Sequence, residues 1–481
     1  MTFYPTRRVV MTSSLAAASL GLLASGSRHP ARAASSQSLL VERRALNIKG
    51  RAASVFGLRQ PNGVAGLVLD PGQRFTVDVA NGIAEDTVIH WHGQTPPNVQ
   101  DGVVETGSLL IKAGARQSYD FVPRPGTHWM HSHHGLQEQQ LMAAPLIVRT
   151  AEDVRADAQE VVMLLHDFSF REPSELFAQI TGGGMDMGNG HASHPTPGTA
   201  MPDSAKGNGK PDLNDIDYDA YLANDRTLDD PSVVRTERSG RVRLRLINGA
   251  TSTAFWIDLG SAVATVLAVD GNPVQPLTGS RFPLAQGQRL DLLVTMPASG
   301  GVVPVLAQRE GDRARTGVIL ATPDAKVMRI GERADALAPA IDLSVEQRLV
   351  ASTPLSARAV DVTHRMTLTG AMMPYVWSID DRTWADRTPL RVGHGQRVMV
   401  EMVNRSPMAH PMHLHGHHFQ VVALNGRTVA GAMRDTVLVP IDGRVSIAFD
   451  ADNPGRWLCH CHNLLHMATG MMTELDVATS V

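Results

Sequence analysis

Apolar and polar residues alternate along much of this chain in short runs bounded by glycine, proline and asparagine. That period-two pattern predicts half-buried β-strands. Three of the runs share a frame: 72-GQRFTVDVAN-81, 239-SGRVRLRLIN-248 and 395-GQRVMVEMVN-404. An arginine opens each alternating stretch (Arg74, Arg241, Arg397), and an asparagine closes it seven positions on (Asn81, Asn248, Asn404). A recurrence of this kind over 481 residues predicts three related β domains. Their expected bounds are 34–152, 153–340 and 341–481.

The residues after each asparagine separate the copies. The first continues into 87-TVIHWHG-93 and the third into 410-HPMHLHG-416, so histidines stand nine and eleven positions after the asparagine in both: His90 and His92, His413 and His415. The middle copy has Ile257 and Leu259 there. The domain ends match as well. Aligning 126-GTHWMHSHHGLQEQQLM-142 with 455-GRWLCHCHNLLHMATGM-471 pairs His131 with His460 and His133 with His462. The same frame pairs Ser132 with Cys461, Gln137 with His466 and Met142 with Met471, while Thr87 corresponds to His410.

Residues two apart on a strand share a face. Each His-x-His pair therefore offers two imidazoles side by side, and four pairs suit three borderline metal ions with two or three ligands each. The pairs divide equally between domains one and three, so the cluster is expected at the interface of those two, with domain two as spacer. A second set is His410, Cys461, His466 and Met471. Two imidazoles, a thiolate and a weak thioether describe a blue-copper electron-transfer site. Cys461 should point away from the face of His460 and His462, so the peptide joining them is a short covalent path for electrons. Structural zinc is a poor match, because it favours four closed ligands with several thiolates.

Composition narrows the picture further. A hydrophobic content of 43% supports packed cores, and a net charge of −3 argues against nucleic acid as a partner. Histidine (20) and methionine (21) are plentiful beside two cysteines, so soft and borderline ligands are available while a disulfide framework is not. Cys459 and Cys461 lie too close in sequence to be expected as a mutual bridge.

The motifs 90-HWHG-93, 131-HSH-133, 410-HPMHLHGHHF-419 and 460-HCHNLLHMATGMM-472 make the chain resemble the three-domain multicopper oxidases, the family of laccases and bacterial copper-resistance oxidases. The resemblance spans nearly all of the chain after its first 33 residues. The middle stretches 218-YDAYLANDRTLDDP-231 and 284-LAQGQRLDLLV-294 look like the family too. The resemblance implies an all-β chain of three cupredoxin-like Greek-key β-sandwiches. It also implies four copper ions: one type 1, one type 2 and two type 3. Carried over by motif, His410, Cys461, His466 and Met471 would hold the type 1 copper, with His90 and His413 on the type 2 copper. His92, His131 and His462 would hold one type 3 copper, and His133, His415 and His460 the other. Cys461, His460 and His462 would carry the electrons. An axial Met471 suggests a moderate type 1 potential. In relatives an acid at the position of Asp101 helps protons reach the oxygen intermediates. The chain departs from some bacterial relatives in having Met467, where they place an acid after the second type 1 histidine; that leaves proton delivery from this side open, with Glu105 as a candidate substitute.

At the N-terminus, 6-TRRVVM-11, the apolar Leu15–Ala24 and 31-ARA-33 read as a twin-arginine export signal ending near residue 33. No other segment is apolar enough to span a bilayer, so the expected location is periplasmic. The stretch 182-GGGMDMGNGHASHPTPGTAMPDSAKGNGKP-211 reads as a long loop of domain two. Its Met185, Met187, His191, His194 and Met201 suit capture of cuprous ions, and Met372, Met373, Met408 and Met412 are candidates to line the approach to the type 1 site. The expected activity couples one-electron oxidation of a phenol-like compound, Cu(I) or both to four-electron reduction of O2, with a role in copper tolerance. Manganese oxidation would need carboxylates near the type 1 site, for which Asp380 and Asp381 are candidates against a simple turn. The contrasting reading is a copper-binding or envelope scaffold without oxidase activity, which the complete ligand set disfavours; nitrite reduction is weaker still. Because both halves of the cluster lie in one chain, a monomer suffices.

Overall fold

The computed structural model describes residues 36–182 and 213–478. The export signal and nearly all of the Met/His-rich stretch therefore lie outside the described residues. The regular elements of the rest are mostly strands, which form six sheets stacked in three pairs. The first pair runs from Gln37–Ile48 to Ala143–Val148, the second from Gln159–Phe168 to Arg315–Ala321, and the third from Val362–Met372 to Met472–Ala478. Each pair closes over its own core. Phe56, Phe75, Trp91 and Met130 fill the first, Leu244, Phe255, Ile257 and Leu292 the second, and Met366, Trp377, Phe419 and Trp457 the third. The all-β expectation holds. No helix among the described residues is long and apolar enough to cross a membrane.

The repeated asparagine has a physical reason. In every copy its side-chain oxygen accepts the backbone N–H two residues on: Ile83, Ala250 and Ser406 at 3.1, 3.0 and 2.9 Å. Its amide then donates to carbonyls of two separate segments. Asn81 bonds Glu85 and Ile111, Asn248 bonds Thr253 and Leu284, and Asn404 bonds Met408 and Val439. One buried side chain thus ends the strand and ties the loop that leads to the histidine pair.

The alternation is cleanest in Phe75–Asn81, where buried and half-buried residues follow one another strictly. The second copy, Arg241–Asn248, is buried over most of its length, because its polar face meets another sandwich. Fully buried Arg245 donates to Thr127 of the first sandwich at 2.9 Å and pairs with Glu160 at 2.5 Å and Asp291 at 3.1 Å. Ile257 and Leu259, which stand where the other copies have histidines, are buried in the middle core.

Replacing Asn404 with alanine strands buried carbonyls and the Ser406 N–H. It should cost about 2 kcal/mol or more, read as a lower thermal midpoint of the copper-free protein.

Candidate metal centre

The eight histidines are delivered by paired short strands. In the first sandwich Ile89–His90 runs antiparallel to Gly126–Ser132, with His90 opposite His131. In the third, His410–Leu414 runs antiparallel to Gly455–Cys461, with His413 opposite His460. The two sets meet. His92 stacks on His413 with ring centroids 3.8 Å apart, His90 lies 4.0 Å from His415, His133 5.3 Å from His460, and His131 5.3 Å from His462. All eight are buried.

The outer nitrogens of five of them are taken by carbonyls or carboxylates. His90 Nδ1 donates to the Asp101 carbonyl at 2.8 Å, His413 Nδ1 to the Asp435 carbonyl at 2.8 Å, and His460 Nδ1 to the Cys461 carbonyl at 2.9 Å. His131 Nδ1 faces Glu138 Oε2 at 3.0 Å, and His415 Nδ1 faces Asp101 Oδ2 at 2.9 Å. A ring that donates through Nδ1 while neutral leaves Nε2 as a bare lone pair. The Nε2 atoms of His90, His131, His133 and His413 are indeed buried without a partner. Others face one another, His415 Nε2 to His460 Nε2 at 3.0 Å and His462 Nε2 to His92 Nδ1 at 3.2 Å. Burial, reinforced by neighbouring imidazoles, drives His92, His131, His133, His413, His415 and His462 well below the ordinary histidine range, and burial takes His460 down to about 3. Uncharged imidazoles with inward lone pairs are a donor set for borderline metal ions.

Four groups of ligand atoms in this cluster lie within 4.8 Å of one another: His133, His415 and His460; His90, His413 and His415; His90, His92 and His131; and His92, His413 and Asp435. His462 joins through its contact with His92. Asp101 is fully buried between the two halves, bonded to His415 and 3.4 Å from His90 Nδ1.

The second group is more compact. Cys461 Sγ stands 3.6 Å from His410 Nδ1 and 3.6 Å from His466 Nδ1, and the two rings approach to 3.1 Å. His466 is carried on the short helix Leu464–Ala468, which Asn463 caps, and Trp377 stacks on it at 4.2 Å. Met471 is buried in the same core, and its carbonyl accepts the Cys461 N–H at 3.0 Å. Both cysteines are free thiols, and burial pushes Cys461 upward. The matching place in the first sandwich is closed by hydrogen bonds. Thr87 and Ser132 both donate to Gln137 Oε1, at 2.7 and 2.8 Å, and Thr87 Oγ1 lies 3.3 Å from Met142 Sδ. Ser132 N–H bonds the Met142 carbonyl at 2.9 Å, as Cys461 does that of Met471.

Other candidates separate. Asp380 and Asp381 form a turn at positive φ, with Asp380 Oδ1 accepting the Thr367 N–H at 2.7 Å. Met408 and Met412 are core residues, Met372 is half-buried and Met373 is exposed. Glu105 sits half-buried on the turn Val104–Thr106, with Oε2 unpartnered, and Met467 is half-buried.

Sequence reasoning missed several partners. Asp435 Oδ1 takes His92 Nε2 at 3.1 Å. Burial alone would raise this carboxyl, yet the charge and hydrogen bonds of Arg289 hold it well below the usual range. Asp215, from the middle sandwich, reaches His466 Nε2 at 3.3 Å and accepts from Tyr375 at 2.6 Å and Asn463 at 2.7 Å. The available signal was a charged residue inside an apolar run, as in 433-MRDTVLV-439.

Comparison with known proteins agrees with this architecture. Models of multicopper oxidase domains match residues 45–153, 160–321 and 358–481. The chain is 33% identical to the multicopper oxidase MmcO of Mycobacterium tuberculosis, over 84% of this chain and 79% of that protein. It is 26% identical to copper resistance protein A of Escherichia coli, over 91% and 92%. The laccase of Botrytis aclada superposes with a TM-score of 0.73 at 22% identity, covering 92% of this chain and 87% of that one. With three cupredoxin-like sandwiches and a histidine-rich centre between the first and third, the chain belongs to the multicopper oxidases, copper-dependent oxidoreductases that couple oxidation of a reductant to reduction of O2.

Proposed function

We propose that this chain is an exported, laccase-like oxidase contributing to copper tolerance, with domains at 34–152, 153–340 and 341–481 and four coppers in two sites. The observation that carries the reading is the cluster of buried imidazoles with bare Nε2 atoms, reached directly from the residues on either side of Cys461. His410, Cys461, His466 and Met471 would hold the type 1 copper. His90 and His413 would hold the type 2 copper. His92, His131 and His462, and His133, His415 and His460, would hold the type 3 pair. Bound there, copper supplies one-electron redox chemistry at the first site and O2 reduction at the second.

The residues divide the labour. Asp215 with Asn463 orients the ring of His466. Cys461 joins the two sites, because His460 and His462 are its chain neighbours. Asp101, buried against His90 and His415, is placed to hold or pass a proton on the oxygen side. A relative named copper resistance protein A supports a copper-tolerance role, the twin-arginine pattern supports periplasmic export of a folded protein, and a monomer is sufficient because one chain carries both halves of the centre. Phenols and Cu(I) are the reductants the reading favours. The completeness of the ligand set disfavours a scaffold without oxidase activity.

Cys461→Ser should abolish the blue absorption and bring O2 consumption to background while copper stays in the histidine cluster; retained turnover refutes the reading. Asp101→Asn should slow O2 consumption by about 100-fold or more at unchanged copper content. Deletion of residues 182–210 should impair Cu(I) oxidation more than phenol oxidation, measured side by side as O2 uptake.

Acidification gives a further check. The rings stay uncharged in the folded state, each keeping a single N–H, while unfolded histidines take up a second proton below about pH 6.5. Stability of the copper-free protein is therefore complete above that pH and should fall as pH drops from about 6.5 toward 3, the value to which His460 is lowered. The thermal midpoint measured against pH should follow this course.

A further inference from the structure

We propose that Arg289 of the middle sandwich is a positioning residue of the oxygen-reducing centre: through Asp435 it fixes which ring nitrogen His92 and His413 present to the metal. The proposal rests on the reading of those two histidines as copper ligands.

Arg289 is fully buried and touches all three sandwiches. Its Nε donates to the Thr127 carbonyl of the first at 3.2 Å, and one terminal nitrogen donates to the Gly287 carbonyl of its own at 3.0 Å. The fork then closes on Asp435 of the third, at 2.7 Å to Oδ1 and through a second bond to Oδ2. Asp270 steadies the pair, accepting the Arg289 N–H at 2.9 Å and bonding Arg434 at 3.1 Å. A bidentate arginine fixes a carboxylate in plane and in place.

Held this way, Asp435 addresses two ligands from different sandwiches. Its Oδ1 accepts from His92 Nε2 at 3.1 Å, so His92 must offer Nδ1 inward, and that atom faces His462 at 3.2 Å. Its main-chain carbonyl accepts from His413 Nδ1 at 2.8 Å, so His413 must offer Nε2, which is bare. Thr436 Oγ1 sits between them, 2.9 Å from Asp435 Oδ1, 3.1 Å from His413 Nδ1 and 3.2 Å from His92 Nε2. One residue held by this ion pair thereby takes up opposite ring nitrogens of two stacked imidazoles, His92 through its carboxylate and His413 through its main chain.

An independent feature points the same way: space is reserved for this pair. Gly93 directly follows His92 at φ +84°, and a Cβ there would strike the Arg289 guanidinium and come within 2.9 Å of Asp435 Oδ2. Gly287, at φ +77°, lies so close that a Cβ would meet His462 Cδ2 at 2.7 Å and His92 Cε1 at 3.1 Å. Gln288 between them donates to the Thr436 carbonyl at 3.2 Å.

The test uses full-length, copper-loaded protein carrying Arg289→Met, Arg289→Lys, or the double change Arg289→Met with Asp435→Leu. Copper content, blue absorption and the electron paramagnetic resonance of cluster copper are read together with the thermal midpoint. Arg289→Met should weaken retention of cluster copper about 10- to 100-fold and alter its resonance while the blue band persists, and Arg289→Lys should recover part of the loss. The double variant removes both charges, so it should regain the thermal midpoint without regaining the cluster signature. Full copper with an unchanged resonance in the double variant would reduce the pair to charge neutralisation and overturn the proposal, as would parallel loss of blue band and cluster in every variant. His92→Ala serves as the control: cluster copper that survives it indicts the ligand assignment rather than Arg289.

Discussion

A buried imidazole nitrogen with no hydrogen-bond partner is a cost that folding normally avoids, and four of them converge here from two sandwiches. Everything around the centre is arranged to sustain that state. Carbonyls and carboxylates occupy the opposite ring nitrogen of His90, His131 and His413, so rotation of those rings would break a bond without satisfying the bare atom. Burial keeps the rings uncharged, which is the form a metal ion can use. A cation bound by those nitrogens would offset their desolvation, so metal binding and folding stability would be linked quantities.

The same logic explains why the Cys461 site lies where it does. Strand pairing sets His413 opposite His460 and Met412 opposite Cys461, so alternation along a single strand sends the thiol to one side and its neighbours to the other. The first sandwich has the same backbone frame, yet fills the equivalent space with Thr87, Ser132, Gln137 and Met142. These bond one another rather than standing as open ligands. Two related sandwiches therefore share a scaffold for a metal pocket, and side-chain chemistry alone decides which of them is closed.

Much of this was legible in residue order. The repeated Arg-to-Asn frame located a strand in each sandwich, and the buried double bonding of Asn81, Asn248 and Asn404 shows why the frame recurs. The His-x-His pairs announced which residues would converge, because strand periodicity is a local property. The inter-sandwich contacts were not legible. Asp435, Arg289, Glu138 and Asp215 act across sequence separations that no local pattern encodes, and each resembles an ordinary strand or loop residue until its partner from another sandwich is in place. Burial of the second copy's polar face escaped notice for the same reason: Arg245 looks solvent-facing until Thr127, Glu160 and Asp291 surround it.

The turn at Gly287 has a consequence for how such a chain can change over time. The middle sandwich contributes no histidine to the centre, so it would be expected to drift most freely of the three. Its backbone nevertheless presses against His462 and His92 closely enough that even a methyl group would collide. That turn is therefore closed to any side chain, and grafting a foreign middle sandwich between the outer two would succeed only if the donor carried the same bare turn.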